Sequence, residues 1–530
     1  MALRTSAFPN WFVAAIHAIG WVLIVPCFWF LDRFIASWKS TTLEKSLPLE
    51  VFFSLILFFI LFLIACPFAF IGFLLWAPLQ ACRRPFSYHR ETKIPEKESN
   101  FKLTEKTSFG FATANLCLLP DSVARFNNLG HTQRRATAIG QRIAHGVHRP
   151  QIRIIVESPS SCGTLSPSVS ILSEGSSPCP EATSKQIAPA GGTYGSTDNH
   201  NTVTKPANVE AVIPNSDMDD QLIDSPTTPL NSNQNSNQQD RPRALLSRGH
   251  SSDDNIIWEM SSLFPTNLDV ICLEEVFDKR AAQKLITALK PVFGHILYDV
   301  GVYACQPPCK CSTFKFFNSG LFVASRFPVL QAQFHFFPNS RGEDALAAKG
   351  LLATKNERQK DVVGFFNCTH LHAPEVIRCI QLDMVTKWIA DFQAANTVPD
   401  EDVVFDVLCG DFNFDNCSPD TLEQNHSLFE MYIDPCRAGP GKEKPWVSTL
   451  LEQPTLYEED VNSPDSLQTL GDEKLRKQYI SPPVPAAGQP LVYPENGQPW
   501  IGRRIDYILE IEEVHFITHL AGLIDHIPVS

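Results

Sequence analysis

No surplus of positive charge runs through this sequence. Its 44 Lys and Arg face 57 Asp and Glu, a formal net charge of −13 at pH 7. Nucleic-acid binding depends on Lys and Arg to neutralise phosphates, so no nucleic-acid partner is expected. A disulfide framework is also missing. The 15 Cys are odd in number and scattered without repeated Cys-x-x-Cys pairs, which fits reduced thiols in a cytosolic compartment. There is no secretory leader signature either, because only Arg4 precedes the first apolar run and no small-residue cleavage site follows it.

What the chain does have is long apolar sequence. Hydrophobic residues make up 44% of 530, enough for a sizeable core with membrane-seeking segments added. Trp11 to Leu31 and Val51 to Leu79 are each long enough to cross hydrocarbon, yet Pro26 interrupts one and Pro67 and Pro78 the other. A spanning hairpin and a pair of re-entrant segments are both compatible with this pattern. Either leaves the two termini on one side. Arg83, Arg84, Arg90 and Lys93 follow the second stretch directly, which places the remainder of the chain in the cytosol. Arg33, Lys39 and Lys45, between the stretches, read with Arg83 and Arg84 as residues facing anionic headgroups.

Residues 1–85 therefore read as a membrane-anchoring domain and 86–108 as a linker. From 157 to 252 the composition turns to Ser, Pro, Thr, Asn and Gln, culminating in NSNQNSNQQD at 231–240. Such a segment cannot bury enough apolar area to offset the entropy of ordering and reads as a disordered insert. The flanking parts, 109–156 and 253–530, read as one catalytic domain. Phe109–Leu119 and 151–156 have strand character, and Ser122–Gly146 between them has helix character. Short β-rich runs recur at 268–273, 319–324, 362–368, 403–409 and 505–509, with helical patterns at 281–289 and 377–394. The expected fold is mixed α/β with sheets at its centre, and polar residues cluster at strand ends.

Those ends carry Asn115 (FATANLCLLP), Glu275 (VICLEEVFD), His370 (NCTHLHAP), Asp411 and Asn413 (CGDFNFDN) and Asp506 (RRIDYIL), with Asp525 and His526 in GLIDHIPV. Singly, each is an ordinary turn or surface residue. In this order, the set resembles the DNase-I-like endonuclease/exonuclease/phosphatase superfamily. Within it the chain is most similar to the membrane-anchored neutral sphingomyelinases of vertebrates, on PFAFIGFL, FATANLCLLPDS, EEVFDKRAA, YDVGVYACQ, ALAAKG, CTHLHAP and CGDFNFDNCSPD.

The resemblance implies a two-sheet DNase-I-like sandwich with its site where strand ends converge. It implies hydrolysis of sphingomyelin to ceramide and phosphocholine, with Mg²⁺ as cofactor and Mn²⁺ as a substitute. Mg²⁺ takes oxygen ligands and keeps several waters, so Glu275, with Asn115 and Asp525 near it, is the expected ligand set. His526 is the expected general base and Asp506 the carboxylate that fixes its tautomer. Asp411 and Asn413 are expected to orient water and phosphate, His370 to stabilise the phosphoryl group, and His372 to support them.

Asp344 and Lys349 in EDALAAKG match the family's Asp/Lys switch. Their spacing of five suits a loop better than a helical pair. The resemblance further implies anionic phospholipid partners such as phosphatidylserine, palmitoylation among Cys27, Cys66, Cys82, Cys305, Cys309 and Cys311, and a Golgi or inner plasma-membrane location, with a mitochondrial membrane as the alternative. It also implies a last strand after Asp525-His526, of which Ile527 to Ser530 are present. A nuclease, an inositol-lipid phosphatase or a non-catalytic membrane adaptor are the competing functions.

Overall fold

Alternating inward and outward residues build the centre of the protein, seen in a computed structural model that describes residues 3–42, 48–91, 108–148, 267–305, 314–419, 421–444, 478–483, 485–486, 488–489 and 501–511. The described residues belong to one compact unit formed by Met1–Arg153 and Ile256–Ser530. The insert 157–252, the strand expected at 151–156, and Cys309, Cys311, Asp525 and His526 lie outside them.

One sheet contains β1 (Ser87–Arg90), β2 (Phe111–Asn115), β3 (Val270–Glu274), β4 (His295–Tyr298) and β5 (Phe322–Ser325), in the order β1-β4-β5-β3-β2. The other contains β6 (Val329–Phe336), β7 (Gly350–Gln359), β8 (Val362–His370), β9 (Asp402–Asp411) and, beyond the small β10 (Arg437–Gly439) and β11 (Lys442–Glu443) ribbon, β12 (Asp506–Glu510), in the order β12-β9-β8-β7-β6. Val270, Cys272, Leu297, Val323, Phe366, Cys368, Phe405 and Cys409 fill the space between the two sheets. Helix α4 (Thr132–His148) and α5 (Lys279–Leu289) cover the outer face of the first sheet through Ile139, Ile143, Leu285 and Leu289. Helix α6 (Glu375–Asn396) covers the second through Leu382, Val385 and Ile389. The result is the expected two-sheet sandwich, with helices on both outer faces.

The helix expected over Ser122–Gly146 is divided. A short α3 (Asp121–Ala124) and a 3₁₀ turn (Arg125–Asn127) precede α4, because Asn128 and His131 adopt left-handed φ values of 58° and 53° that a continuous helix cannot hold. The strand expected over Phe109–Leu119 is likewise shorter, β2 ending at Asn115; Cys117 turns left-handed at φ 47°.

The apolar stretches form two long helices, α1 (Trp11–Trp38) and α2 (Pro48–Leu79), continuous through their prolines. Asn10 caps α1, accepting a hydrogen bond from the Val13 amide at 2.9 Å. The helices run antiparallel. A side chain added at Gly72 would come within 2.6 Å of the Gly20 carbonyl oxygen, so these two glycines permit the close crossing. Most large side chains of α2 are exposed, including Phe53, Leu63, Phe70 and Leu74, as a lipid-facing helix requires.

Helix α1 also lies along the sandwich. Lys279 at the start of α5 sits over the Trp21 ring at 4.8 Å. Asp32 accepts from the Ser122 amide at 2.7 Å, and Arg33 donates to Asp121 at 3.2 Å. Arg125 donates to the Lys39 carbonyl at 3.2 Å, and Asn128 accepts from the Thr42 amide at 2.9 Å. From Trp21 to the helix end at Trp38 is about 25 Å at 1.5 Å per residue. A helix held to the same domain at both ends runs beside that domain instead of projecting from it.

Candidate active site

The loops that carry α1 are the loops that follow β2 and β3; β2 ends in Asn115, and Glu275 is the first residue after β3. Sheet register brings the remaining residues to the same edge. His370 of β8, Asp411 of β9 and Asp506 of β12 are direct cross-strand neighbours. They share the inward-facing parity of Cys368, Cys409 and Ile508, so all three continue the inter-sheet face past the point where apolar packing ends. Asn115 pairs with Glu274 in the first sheet. The sheets are tied across this edge by Asn115 Nδ2, which donates to Asp411 Oδ2 at 3.0 Å. Gly410, at φ 139°, is required beside Asp411, since a Cβ there would lie 1.8 Å from the Thr369 carbonyl oxygen.

Asp411 is the hub of the described site. Besides Asn115 it accepts from the Asn413 amide at 2.8 Å and lies 3.5 Å from His370 Nε2. Burial pushes its carboxyl up to about 6, against the pull of the Asn115 hydrogen bond and the Lys349 ammonium. Asn413 is left-handed at φ 53° and gives its side-chain NH₂ to the Leu371 carbonyl at 2.9 Å. Glu275 is also left-handed, at φ 55°, and only half-buried. That kink turns its carboxylate out of the strand, whereas Glu274 points inward, fully buried, and accepts from Thr113 Oγ1 at 2.6 Å.

Asp344 and Lys349 form an ion pair of 2.7 Å with side chains 16% and 6% exposed. It closes across the 3₁₀ turn Gly342–Leu346, so the pair is a loop contact, as the spacing of five implies. Burial raises the Asp344 carboxyl, but the Lys349 ammonium and the Ala373 amide (2.9 Å) outweigh it and hold it below the ordinary range. Lys349 also donates to His370 Nε2 at 2.9 Å and to the Leu371 carbonyl at 3.4 Å. An ammonium has only donors, so His370 Nε2 is the acceptor, and burial with Lys349 beside it drives the imidazole pKa far down.

Gln381 of α6 was not legible as a site residue, nine positions from the His it serves. Its Oε1 accepts from the His372 backbone amide at 3.1 Å, which turns its NH₂ toward His372 Nδ1 and toward Asn339 Oδ1 at 3.2 Å. His372 Nδ1 is thereby an acceptor, and the ring proton sits on Nε2, which is buried and without a partner among the described residues. Burial lowers this imidazole to about 4.

One expected headgroup cation is placed differently. Arg83 is buried, with 3% of its side chain exposed; it pairs with Asp299 Oδ2 at 2.7 Å and donates to the Asp299 and Gly301 carbonyls at 2.6 and 2.7 Å. Its guanidinium clamps the end of α2 to the sandwich and does not face lipid. Arg84 is half-buried beside it. Arg33, 36% exposed, pairs with Asp121 and Asp32. Among the cysteines, Cys27 is buried with its Sγ 3.8 Å from that of Cys66 across the helix pair, while Cys82 is exposed and Cys305 intermediate.

Among the described residues no cluster of three His, Cys, Asp or Glu side chains could cage a metal. The donor chemistry nonetheless fits Mg²⁺, which needs one or two carboxylates and completes its shell with water. Glu275 supplies a half-buried carboxylate just past the end of β3. The Asn115 Oδ1 already accepts the Cys117 amide at 3.1 Å and keeps a second lone pair.

Comparison with known proteins shows the family. Residues 12–82 match the neutral sphingomyelinase N-terminal transmembrane region, and 230–509 match the endonuclease/exonuclease/phosphatase family. The chain is 56% identical to sphingomyelin phosphodiesterase 5 of Danio rerio, over 100% of this chain and 98% of the relative. It is 39% identical to sphingomyelin phosphodiesterase 3 of Homo sapiens, again over 100% and 98%, and 34% identical to sphingomyelin phosphodiesterase 5 of Mus musculus, over 100% and 94%.

Proposed function

This chain belongs to the neutral sphingomyelinase family, and on that premise we propose that it hydrolyses sphingomyelin to ceramide and phosphocholine at the cytosolic leaflet of a membrane, with Mg²⁺ as cofactor. The observation that carries the reading is the shared edge. The loops after β2 and β3 hold α1 and also carry Asn115 and Glu275 at their starts, so a lipid-embedded hairpin brings the site to the headgroups. Because α1 is fastened to the sandwich along its length, the hairpin sits in one leaflet and leaves both termini and the turn between the helices in the cytosol. Arg33 and Arg84 supply the positive charge for anionic lipids such as phosphatidylserine.

Glu275 and Asn115, with Asp525, would hold Mg²⁺. The bound ion supplies Lewis-acid neutralisation of charge on the phosphoryl oxygens. His526 takes the proton from the attacking water, with its imidazole oriented by Asp506. Asp411 and Asn413 fix the water and the scissile phosphate. Once Lys349 withdraws, His370 Nε2 no longer accepts from it and, on taking up a proton, donates to the phosphoryl oxygens; that release is the switch that the Asp344–Lys349 pair provides. The neutral, Nε2-protonated His372 adds a hydrogen-bond donor beside them.

The test is product identity. Purified full-length protein in vesicles of headgroup-labelled sphingomyelin should release phosphocholine and leave ceramide. Release of free choline, or hydrolysis of inositol lipids or DNA in preference, would overturn the reading.

A further inference from the structure

A strip of aromatic and aliphatic side chains leads from the lipid-facing helix α2 to the loop that carries Asp344. Phe73 of α2 contacts Phe314, with ring centroids 6.2 Å apart, and Phe314 meets Phe316 edge-on at 4.7 Å. Phe316 is 57% exposed. Its backbone amide and that of Phe317 both donate to the Leu346 carbonyl, at 2.8 and 3.0 Å, and Leu346 is itself 43% exposed. Between the two phenylalanines, the buried Lys315 reaches inward and fastens the turn, donating to the Ala345 carbonyl at 2.9 Å and to Ser340 Oγ at 3.1 Å. On the far side of the turn, Asp344 Oδ2 accepts from the Ala373 amide. Three residues beyond Ala373 stands Val376, 77% exposed.

Single exposed apolar residues are ordinary on a protein surface. A run of them continuous with a membrane helix, on both flanks of one loop, is not. Hydrogen bonds and Lys315 pin the backbone around Phe316 and Leu346, and Val376 is fixed in the first turn of α6, so all three side chains are held at the surface.

We infer that Phe316, Leu346 and Val376 form an apolar rim that penetrates the same lipid surface as the α1–α2 hairpin. The occupant is the bilayer itself, at the boundary between headgroups and hydrocarbon, since the strip extends the lipid-facing surface of α2 through Phe73 without a polar break at Phe314. The turn Gly342–Leu346 then rests in the membrane interface, and the Asp344–Lys349 contact forms or opens against lipid instead of bulk water. This rests on the membrane-side reading of the site given above, although the contact itself is measurable without any hydrolysis.

The experiment places a benzophenone side chain, one position at a time, at Phe316, at Val376, at Phe53 of α2 and at Lys387, which is 70% exposed on α6 away from the strip. Each full-length variant is reconstituted in phosphatidylcholine–sphingomyelin vesicles and irradiated. Lipid adducts at positions 316 and 376 comparable to those at 53, and at least tenfold above those at 387, are expected. Adducts at 53 but only the Lys387 background at 316 and 376 would overturn the rim, even if sphingomyelin is still hydrolysed. Independently, Phe316→Asp combined with Leu346→Asp should lower hydrolysis in vesicles at least tenfold and change hydrolysis of a monomeric short-chain sphingomyelin less than twofold. Equal loss on both substrates with an unchanged melting temperature would also overturn it. Absence of sphingomyelin hydrolysis by the unmodified protein would instead count against the function proposed above.

Discussion

Replacing Lys349 with Met removes a buried ammonium from three partners at once. In the native arrangement that charge meets Asp344 at 2.7 Å, His370 Nε2 at 2.9 Å and the Leu371 carbonyl at 3.4 Å. Without it, the Asp344 carboxylate keeps the Ala373 amide but loses its counter-ion. Breaking a buried pair by deleting one partner costs about 3–5 kcal/mol. With 16% of the Asp344 side chain still exposed, the lower end, about 3 kcal/mol, is expected. Asp344→Asn strands Lys349 instead, though His370 and Leu371 still accept from it, so about 2 kcal/mol is expected. In the double variant no charge is stranded, and the combined cost should fall short of the sum by about 1–3 kcal/mol. Urea titrations of the four full-length proteins in one detergent at pH 7.5 measure each term. If each single variant cost less than about 1 kcal/mol and the effects added, the pair would be behaving as an exposed surface contact, and its role as a built-in latch would be refuted.

The pH dependence of stability offers a separate check. His372 is held near 4 by burial, so as pH falls the unfolded chain takes up its proton first; the stability this residue carries is complete above about 6.5 and is lost progressively down to about 4. The loss amounts to roughly 3 kcal/mol at about 1.4 kcal/mol per unit, and His372→Gln should flatten the stability–pH curve by that amount in that window. An identical slope in the variant would contradict the buried neutral ring. Gln381→Glu places a carboxylate at His372 Nδ1 and should move the ring proton there, read from the imidazole ¹⁵N shifts; unchanged shifts would refute the tautomer assignment. Epitopes at Met1, after Glu44 and at Ser530 should all resist external protease in sealed, cytosol-in vesicles. Cleavage at the epitope after Glu44 alone would show a spanning hairpin. Arg33→Ala should reduce activity on phosphatidylserine vesicles more than on neutral ones, by about 1 kcal/mol, with the difference fading at high salt.

Much of this protein could be read from its residues, and the parts that could not share a physical cause. Asn115, Glu275, His370, Asp411 and Asp506 were visible because each stands at one end of a short β-rich run, and five polar residues at strand ends in one chain are hard to explain as turns. Their meeting was implied by the family resemblance and by nothing in the strands themselves. The Asn115–Asp411 contact joins two sheets, and no periodicity within one strand reports it. Strand β7 escaped because Lys355 and Asn356 interrupt its apolar pattern, although both are buried, Lys355 on Glu401 and the Asn396 carbonyl and Asn356 on Ser325. Arg83 illustrates the reverse error. Its place just after an apolar stretch suggested a headgroup contact, but Asp299, brought close by the fold from more than two hundred residues away, is the stronger partner.

The central claim is that these strand ends serve one metal-dependent site, and a Mg²⁺ titration of sphingomyelin hydrolysis tests it most directly. The titration is run on the unaltered chain, on Glu275→Gln and on His526→Ala. Glu275→Gln keeps the shape of the side chain but removes a hard anionic oxygen, so its activity should fall and recover in part as Mg²⁺ is raised. His526→Ala should lose roughly 10²–10⁴-fold at every Mg²⁺ concentration, because a missing general base is not replaced by more metal. Full activity of both variants without dependence on Mg²⁺ would contradict the account.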